Sequence, residues 1–308
     1  MKKYSYRAFG LNIVSDFELP ELVKGNGKND VEILLGNIEE IDGEFSTNQI
    51  FKTDSEEIIY QLKNVAGCRI LNGNKAIIMP SPSLSHSTLR LLILTSVLGC
   101  ILIQRKMSPI HGSSVVIGDS SIIIAGRSGA GKSTLTSTFI EHGYKFLTDD
   151  VSVISMDDFG NMYVQPGYPY RKLHKDSADH HSLNIEELER IEYEDEKFLV
   201  PVNQYFIDTP KRLLALVEIT PMTVDNVSIE KLKGISKLNV LMENLYRGAL
   251  ASHFNSRTYY FERIGDIASK LDVFKMRRPK NQFTCEEQLE LILNEVGICP
   301  MGGTKNEK

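Results

Sequence analysis

The chain has 308 residues, of which 42% are hydrophobic and 24% are charged. These proportions predict a globular protein with one large or two modest domains. Its formal net charge of -5 excludes a global basic field that would attract nucleic acid or an anionic membrane. Four scattered cysteines without a C-x-x-C pair favour a reducing compartment over a disulfide or zinc framework.

The first residues carry two lysines but no apolar segment behind them, so we expect no signal peptide. The most apolar run, Leu89 to Ile103, is interrupted by Arg90 and is too short to span a bilayer. We therefore expect this run to form a buried helix in a cytoplasmic protein that has no membrane or nucleic-acid partner.

Residues 1–82 predict a small β-rich region, in which short strands are separated by turns that contain Gly and Asn. The strand candidates are Tyr4–Phe9, Val31–Leu35, Glu57–Leu62, Cys68–Ile70 and Ala76–Met79. Pro80 and Pro82 then break the pattern. Ser83 to Arg105 predicts one long, mostly packed helix, and residues 83–106 should connect the β-rich region to the rest of the chain.

His111 is the first residue of interest beyond that helix. Pro109 and Gly112 flank it, and an alternating strand follows up to Ile117. The turn Gly118-Asp119-Ser120 predicts an antiparallel hairpin with the next strand. His111 should lie at one strand end, where both a structural role and a role beside a phosphate site stay open.

The strongest motif follows the apolar strand Ile122–Ala125 and precedes a helix. It matches G-x-x-x-x-G-K-[ST] and reads Gly126, Arg127, Ser128, Gly129, Ala130, Gly131, Lys132 and Ser133, followed by Thr134. Strand, glycine loop and helix are the context in which this motif binds phosphate. The loop N–H groups face phosphate oxygens, the lysine reaches the β- and γ-phosphates, and the serine hydroxyl binds Mg²⁺.

An acidic pair, Asp149 and Asp150, follows the strand Tyr144–Leu147 and precedes the strand Val151–Met156. Phosphoryl transfer needs acid groups in this position, one to hold Mg²⁺ and one to accept a proton from the attacking hydroxyl. Two adjacent carboxylates should also repel each other and raise one pKa. A second pair, Asp157-Asp158, is predicted to be a solvated hairpin turn.

Pro166 to Leu173 predicts a fixed loop, in which Arg171 and Lys172 could face a phosphate or an acidic peptide; a solvated basic pair is an equal alternative. The polar stretch from His174 to Lys197 includes Asn184 as the cap of a short helix that contains Leu188 and Ile191. This stretch predicts either a cover that closes over substrate or a surface helix.

The remainder of the chain predicts a buried strand, an adjacent strand of alternating polarity, two helices, a last strand and a final helix. These are Leu213–Ile219, Val227–Leu232, Ser236–Leu250, Ser252–Leu271, Asp272–Met276 and Cys285–Asn294, the last capped by Thr284. The tail, residues 299–308, should be disordered.

No N-K-x-D element is present, which argues against a GTPase.

The motifs of residues 107–155 together resemble the HPr serine kinase family. They are His111-Gly112, the hairpin, the glycine loop and Phe146-Leu147-Thr148-Asp149-Asp150-Val151. The opening, Tyr6–Leu11 with Leu19–Leu22, resembles a subgroup that accompanies ribosomally made peptides, including kinases of the C-terminal serine of lasso-peptide precursors. The resemblance implies an α/β fold: a P-loop kinase domain of the HPr kinase/PEP carboxykinase type with a mixed sheet (residues 107–298), preceded by the small β-rich region.

By position, the resemblance implies that Lys132 and the loop bind the phosphates of ATP and that Ser133 and Asp150 support Mg²⁺. Asp149 would be the general base on the substrate serine, and His111 would lie beside the transferring phosphate. The family's glutamate-containing segment is missing, and Pro166–Leu173 stands there instead.

The predicted function is therefore an ATP-dependent serine kinase that acts on a peptide or small protein. The alternatives are a kinase of phosphocarrier HPr, a small-molecule kinase on the same fold, and a nucleotide-binding regulator without protein kinase activity. The sequence leaves a homo-oligomer open.

Overall fold

The computed structural model describes residues 3–41, 43–181, 183–190, 197–248, 250 and 257–297. Within these ranges the protein has a mixed α/β fold with three sheets. Its α-helices are α1 His86–Leu92, α2 Leu98–Gln104, α3 Lys132–Glu141, α4 Lys175–His180, α5 Ile235–Glu243, α6 Arg257–Lys270 and α7 Cys285–Glu295. The tail predicted to be disordered lies outside the described residues.

The first sheet is built from the beginning of the chain and has the order β3-β1-β2-β4-β8-β7-β6-β5. Its strands are β1 Tyr4–Ala8, β2 Leu11–Ser15, β3 Val23–Lys24, β4 Val31–Leu35, β5 Gln49–Thr53, β6 Glu57–Leu62, β7 Ala66–Leu71 and β8 Lys75–Pro80. The pairs β2–β4 and β4–β8 are parallel, and the other pairs are antiparallel.

The five predicted strands of this region are confirmed, whereas β2, β3 and β5 were not predicted. Strand β2 follows β1 after only two residues, Phe9 and Gly10, which both have a positive φ, as a tight hairpin turn requires. Strand β3 has two residues. Strand β5 is almost wholly exposed, so it carries no apolar periodicity.

The apolar run forms one helical segment of 19 residues from His86 to Gln104, which is long and apolar enough to cross a membrane, so the expectation that the run is too short to do so is wrong. The expected burial is confirmed, since 78% of its most apolar window is buried inside the structure. The segment begins three residues later than predicted, where Ser85 caps the backbone N–H of Thr88. A π-helical turn, Ile93–Val97, separates α1 from α2. The buried cluster around this segment includes residues of both large sheets.

The second sheet carries the glycine loop. Its strands are β9 Ser108–Ile117, β10 Ser120–Ala125, β11 Lys145–Thr148, β12 Val151–Met156, β13 Met162–Gln165, β17 Lys211–Met222, β18 Ser228–Lys231 and β19 Asp272–Pro279. Strand β10 pairs antiparallel with β9, as predicted, and parallel with β17. The further pairs β9–β12, β12–β13 and β13–β17 close these five strands into a ring.

His111 was predicted to lie at a strand end. It lies instead inside the ten-residue strand β9. Strand β9 lies between β10 and β12, and at this point the pairings with its two neighbours meet: His111 stands opposite Val151 of β12, and Gly112 stands opposite Ala125 of β10. The histidine is thereby fixed between the strand that enters the glycine loop and the strand that follows the acidic pair.

The third sheet has three strands, β14 Tyr170–His174, β16 Lys197–Pro201 and β15 Glu189–Arg190. The loop predicted over the whole of Pro166–Leu173 is wrong in its second half, because the chain from Tyr170 onwards forms strand β14. Asn184 caps as expected, but it caps a 3₁₀ turn, Ile185–Glu187, that ends before Leu188. Ile191 lies outside the described residues.

The later elements agree with the predicted order. The helix expected at Ser236–Leu250 ends at Glu243, and the helix expected from Ser252 is described from Arg257. Strand β19 runs parallel to β17. Thr284 occupies the cap position of α7 without a side-chain capping bond.

Candidate active site

The glycine loop joins β10 to α3, and its backbone explains its glycines. Gly126, Gly129 and Gly131 have φ values of 140°, 77° and 100°, which residues with a Cβ rarely adopt. A Cβ on Gly126 would also stand 2.6 Å from the carbonyl oxygen of Ile219. The loop therefore leads directly into the N-terminus of α3, where backbone N–H groups and the helix dipole favour an anion.

Lys132 lies at the first position of α3, and only 9% of the residue is exposed. Its Nζ is 2.7 Å from the carbonyl oxygen of Gly126, 3.3 Å from that of Arg127 and 3.0 Å from Nε2 of His111. Burial lowers the pKa of Lys132, against the opposing charges of Asp149 and Asp150. The cation is thus held under the loop by three acceptors.

His111 bridges the lysine and the acidic pair. Its Nδ1 lies 3.1 Å from the carbonyl oxygen of Asp150 and 3.3 Å from the carboxylate Oδ1 of the same residue. Nδ1 therefore faces two acceptors, whereas Nε2 faces an ammonium that can only donate. These contacts fit a neutral imidazole that carries its proton on Nδ1.

Asp149 and Asp150 both face one cavity although they are adjacent in sequence. Successive side chains of a strand point to opposite faces, but Asp150 has a φ of 63° and interrupts the alternation between β11 and β12. Left-handed backbone is uncommon for residues other than glycine and favours Asp and Asn. The turn is thus the local device that brings the two carboxylates together.

Asp149 is buried, and both of its carboxylate oxygens accept hydrogen bonds. Ser113 Oγ donates to Oδ1 over 2.5 Å, and the backbone N–H of Lys172 donates to Oδ2 over 2.8 Å. Each carboxylate oxygen can accept more than one hydrogen bond. The side chain is therefore held in one orientation, and its oxygens keep the capacity to accept a further hydrogen bond.

The expected rise of one pKa in the acidic pair is not what Asp150 shows. Burial alone would raise its pKa, but the hydrogen bond from His111 and the charges of Lys172 and Lys132 outweigh it and hold the pKa well below its usual range. Lys172 Nζ lies 3.8 Å from Asp150 Oδ2. Cations therefore surround the carboxylate and keep it ionised.

These groups converge on one cavity of about 360 Å³. The cavity is lined by the predicted residues His111, Ser128, Gly129, Ala130, Gly131, Lys132, Ser133, Thr134, Asp149, Asp150 and Lys172. Gly126 and Arg127 do not line it, and they contribute the carbonyl oxygens that hold Lys132. The cavity therefore brings the loop, the histidine and the acidic pair to one place.

Arg171, which we expected to face substrate beside Lys172, points elsewhere. It is 5% exposed, and its Nη1 donates to Ser137 Oγ of α3 over 2.7 Å. Both residues lie in strand β14, where neighbouring side chains face opposite sides, so the pair cannot enter the cavity together. Burial lowers the pKa of Arg171 to about 10, against the charges of Asp149 and Glu141.

Arg278, at the end of β19, lines the cavity and was missed in the sequence. Its Nε donates to the carbonyl oxygen of Ala130 over 2.9 Å, and its Nη1 donates to that of Pro279 over 2.9 Å. Its Nη2 lies 3.2 Å from where a Cβ on Gly131 would stand. A second cation is thus fixed against the loop. Nothing in the local pattern Arg277-Arg278-Pro279 distinguishes it from its neighbour.

The third sheet and α4 supply another wall, from the stretch His174–Lys197 that was predicted either to cover substrate or to form a surface helix; no single residue of it was predicted at the site. His174, Asp176, Ser177 and Lys197 line the cavity from this side. Ser177 Oγ is 2.9 Å from Thr134 Oγ1, so this wall is joined to α3. The polar composition of this stretch was its only signal in the sequence.

Asn244, just after α5, is a further residue that the sequence did not single out. Its Oδ1 accepts from the backbone N–H of Gly126 over 3.0 Å, and its Nδ2 donates to Glu218 Oε1 over 3.0 Å. Its own carbonyl oxygen accepts from the backbone N–H of His111 over 2.6 Å. This buried amide therefore fixes both the start of the loop and the histidine.

The oxygen groups of the cavity fit Mg²⁺ bound together with nucleotide phosphates. Mg²⁺ prefers oxygen ligands, keeps several waters and usually takes one or two carboxylates plus phosphate oxygens. Ser133 and Asp150 line the cavity and supply a hydroxyl and a carboxylate. Among the described residues, no group of three or more His, Cys, Asp or Glu side chains could hold a metal ion, so the phosphates would complete the ligand set.

No protein-family model matches the chain, and no curated protein matches it either. Among solved structures, the chain is similar to the Hpr(Ser) kinase/phosphatase from Coxiella burnetii. The two are 12% identical over 61% of this chain and 89% of that chain, with a TM-score of 0.34. A likeness at this level identifies neither a family nor an activity, and the function proposed below rests on the residues of the cavity.

Proposed function

We propose that this protein is an ATP-dependent serine kinase that transfers the γ-phosphoryl group to a peptide or small protein. The observation that carries the proposal is the convergence of Lys132, His111, Asp149 and Asp150 on one cavity. Phosphoryl transfer needs little covalent chemistry from the protein and depends on positioning and on charge stabilisation. An anion cradle, a buried cation and an acidic pair in one cavity are the groups that this task requires.

The loop amides and the N-terminus of α3 would bind the β- and γ-phosphates. Lys132 would exchange one of its present acceptors for a phosphate oxygen, and the contact to His111 Nε2 is the one that does not hold the loop itself. Arg278 provides a second cation beside Ala130. These positive groups would stabilise the charge that develops on the transferred phosphoryl group.

Asp149 would accept the proton of the substrate serine while its hydroxyl oxygen bonds to the γ-phosphorus. The bond from that phosphorus to the bridging oxygen breaks at the same time, and ADP leaves. Mg²⁺, when bound by Ser133 and Asp150, would neutralise charge on the phosphates. The hydrogen bonds from Ser113 and the Lys172 backbone support this role because they fix the orientation of the Asp149 carboxylate.

The finer proposal is that the acceptor is the C-terminal serine of a lasso-peptide precursor. Its support is the resemblance of Tyr6–Leu11 and Leu19–Leu22 to proteins that accompany ribosomally made peptides. The wall of the cavity that the third sheet forms includes Lys172 and Lys197, and a peptide carboxylate close to the serine would suit these charges.

The test is incubation of the full chain with ATP, Mg²⁺ and synthetic peptides that end in serine or, as a control, in alanine. Mass spectrometry should show a gain of about 80 Da, one phosphoryl group, on the serine peptide alone. Asp149→Asn should lower transfer by at least about 100-fold and change ATP affinity little, whereas Lys132→Met should weaken ATP binding. Asp158→Asn, in the exposed acidic turn, is the matched control and should change neither.

The rival is a nucleotide-binding regulator, in which the two hydrogen bonds on Asp149 would only hold the turn in place. Binding of ATP that depends on Lys132, without phosphate on any serine peptide or protein tested, would support the regulator and refute the kinase. A phosphorylated metabolite without a phosphorylated peptide would instead indicate a small-molecule kinase.

A further inference from the structure

The opening motif of the chain, Tyr6–Leu11, forms the hairpin of β1 and β2, and none of its residues lines the cavity of the glycine loop. The turn of the hairpin consists of Phe9 and Gly10, which both have a positive φ. Gly10 adopts this conformation at no steric cost, whereas a left-handed backbone is a genuine outlier for a bulky residue such as Phe9. The turn therefore keeps an aromatic side chain at a position where glycine would be less strained.

The aromatic side chain of Phe9 packs against the segment Pro166–Pro169, which connects β13 to β14. Phe9 is 1% exposed, and its backbone N–H donates to the carbonyl oxygen of Pro166 over 2.7 Å. Its ring meets the ring of Tyr168 edge to face, with 6.2 Å between the two ring centres. The hairpin of the first sheet is thus attached, by backbone and by side chain, to the segment that leads into β14.

Gly167 lies at the centre of this attachment. A Cβ on Gly167 would collide with the hydroxyl of Thr148 and would stand 3.1 Å from Cε1 of Phe9. The aromatic ring and the threonine side chain therefore converge on the same face of this glycine. The backbone N–H of Gly167 also donates to the carbonyl oxygen of Leu147 over 2.9 Å, so the segment is fixed to the end of β11.

Thr148 is the residue before the acidic pair, and it holds the turn that the pair forms. The residue is buried, and its Oγ1 donates to the carbonyl oxygen of Val151, on the far side of the pair, over 2.7 Å. The backbone N–H of Val151 donates to the carbonyl oxygen of Asp149 over 2.6 Å. A displacement of Thr148 would therefore move the carboxylate of Asp149, which is the proposed general base.

The segment that Phe9 contacts also reaches Asp149 directly, further along the chain. The backbone N–H of Lys172 donates to Asp149 Oδ2 over 2.8 Å. Only the four residues 168–171 separate Gly167, which touches the ring of Phe9, from this donor. Phe9 therefore supports the Asp149 carboxylate by two routes, one through Thr148 and one through the segment that ends at Lys172.

We propose, on the basis of the kinase function proposed above, that Phe9 is a positioning residue for phosphoryl transfer. Its ring holds Gly167 and Thr148 in place and so keeps the Asp149 carboxylate directed at the substrate hydroxyl. The first sheet is thereby part of the catalytic apparatus. A misplacement of reacting groups by about 1 Å can lower a rate by about 100-fold, so loss of this support reduces kcat and leaves ATP binding unchanged.

The test is Phe9→Leu in the full chain, which removes the flat ring, with Phe45→Leu as the matched control. Phe45 also has a positive φ and is 3% exposed, but it packs in a separate cluster with Ile38 and Ile59. We expect Phe9→Leu to lower kcat on a serine peptide by about tenfold or more, while the KM for ATP changes by less than about twofold. Phe45→Leu should change neither. Equal losses of kcat in the two variants, or a loss confined to KM, would overturn the proposal.

Amide hydrogen exchange measures the same support without any substrate. The N–H groups of Gly167 and Lys172 both donate within it, so Phe9→Leu should speed exchange in peptides that cover residues 166–173 by about tenfold or more. Phe45→Leu should not. If the natural chain phosphorylates no serine, the kinase proposal fails, and exchange alone decides whether Phe9 supports the acidic pair. Unchanged kcat and unchanged exchange in Phe9→Leu refute the role of Phe9 while the kinase proposal stands.

Two further variants keep the test decisive. Phe9→Met retains most of the volume but not the ring, and it replaces Phe9→Leu if that variant does not fold. Thr148→Ser keeps the hydroxyl and removes the methyl group. The losses of kcat in Phe9→Leu and Thr148→Ser should be non-additive in the double variant, because both act on one turn. Fully additive losses would show that the ring does not act through Thr148 and would refute that route.

Discussion

Nε2 of His111 lies 3.0 Å from Nζ of Lys132, so the imidazole accepts a hydrogen bond from the cation of the glycine loop. On its other side, Nδ1 faces the carbonyl and carboxylate oxygens of Asp150. The lysine, the histidine and the aspartate thus form one continuous polar chain. A change in the charge of any of the three should be felt by the other two.

The first prediction concerns the proton of His111. Because an ammonium can only donate and Asp150 offers only acceptors, we expect the neutral imidazole to carry its proton on Nδ1. A ¹H–¹⁵N correlation spectrum of the imidazole nitrogens of the nucleotide-free protein at pH 8 measures this directly. Lys132→Met removes the donor to Nε2 and should weaken the preference of the proton for Nδ1. A proton on Nε2 in the natural chain would contradict the assignment of the proton to Nδ1.

The second prediction concerns acid stability. The folded-state pKa of Asp150 is depressed, because the hydrogen bond from His111 and the charges of Lys172 and Lys132 outweigh the effect of burial. A depressed carboxyl pKa contributes stability that is complete above its unfolded-state value, here about 3.8. That contribution is lost as pH falls from this value towards the folded-state pKa.

Asp150→Asn, which also tolerates the left-handed backbone, should therefore be less stable than the natural chain at pH 6 by an amount on the order of 1–3 kcal/mol. This difference in the free energy of unfolding should become smaller as the pH is lowered from 4 to 3. Urea denaturation at each pH gives the two free energies of unfolding. A gap that stayed constant or widened in acid would refute the ionic account of this contact.

The third prediction concerns Arg278. Its Nε and Nη1 hold the loop at Ala130 and the end of β19, and its guanidinium borders the cavity. Arg278→Met should weaken ATP binding by about tenfold or more, because it removes a cation that would face the phosphates in the proposed site. Arg278→Lys should recover only part of the affinity, since lysine lacks the planar set of donors.

Arg277 is the matched control for this experiment. It is adjacent in the strand, but it pairs with Glu230 at the surface. Arg277→Met should leave ATP affinity unchanged, because exposed ion pairs contribute little and this one lies outside the cavity. Equal losses for the two variants would indicate a general effect of positive charge rather than a specific contact of Arg278.

The mixed α/β character and the elements around the glycine loop could be predicted because their signals are local. An apolar strand, glycines at left-handed positions and an apolar helix follow one another from Ile122 to Ile140, and short-range geometry dictates this order. The predicted hairpin of β9 and β10 is confirmed for the same reason, since its turn is two residues long.

The walls of the cavity could not be predicted because they depend on strand register and on distant contacts. Asn244 meets Gly126 across 118 positions of sequence. Arg278 and Arg277 have the same local pattern, and only the pairing of β19 with β17 decides which one faces the loop. Pro166 and Gly167 predict a loop at Arg171, whereas the residue lies in strand β14, and the alternation of a strand turns its side chain away from the cavity.

The last prediction concerns the buried amide of Asn244, which donates to Glu218 Oε1 and accepts from the backbone N–H of Gly126. Glu218 also lies 3.4 Å from Lys275. Asn244→Asp keeps the shape and the acceptor but removes the donor, so that two buried carboxylates face each other. We expect a loss of about 2–4 kcal/mol in the free energy of unfolding and weaker ATP binding, because the start of the loop is no longer fixed.

A second substitution separates this electrostatic account from a simple loss of packing. Adding Glu218→Gln to Asn244→Asp reverses the direction of the hydrogen bond: the new amide donates to the new carboxylate, and one negative charge remains near Lys275. The double variant should recover more than half of the lost stability, measured by urea denaturation, and most of the ATP affinity. If it is no more stable than Asn244→Asp alone, the contact between the two side chains does not position the loop, and the backbone bonds of Asn244 must do so instead.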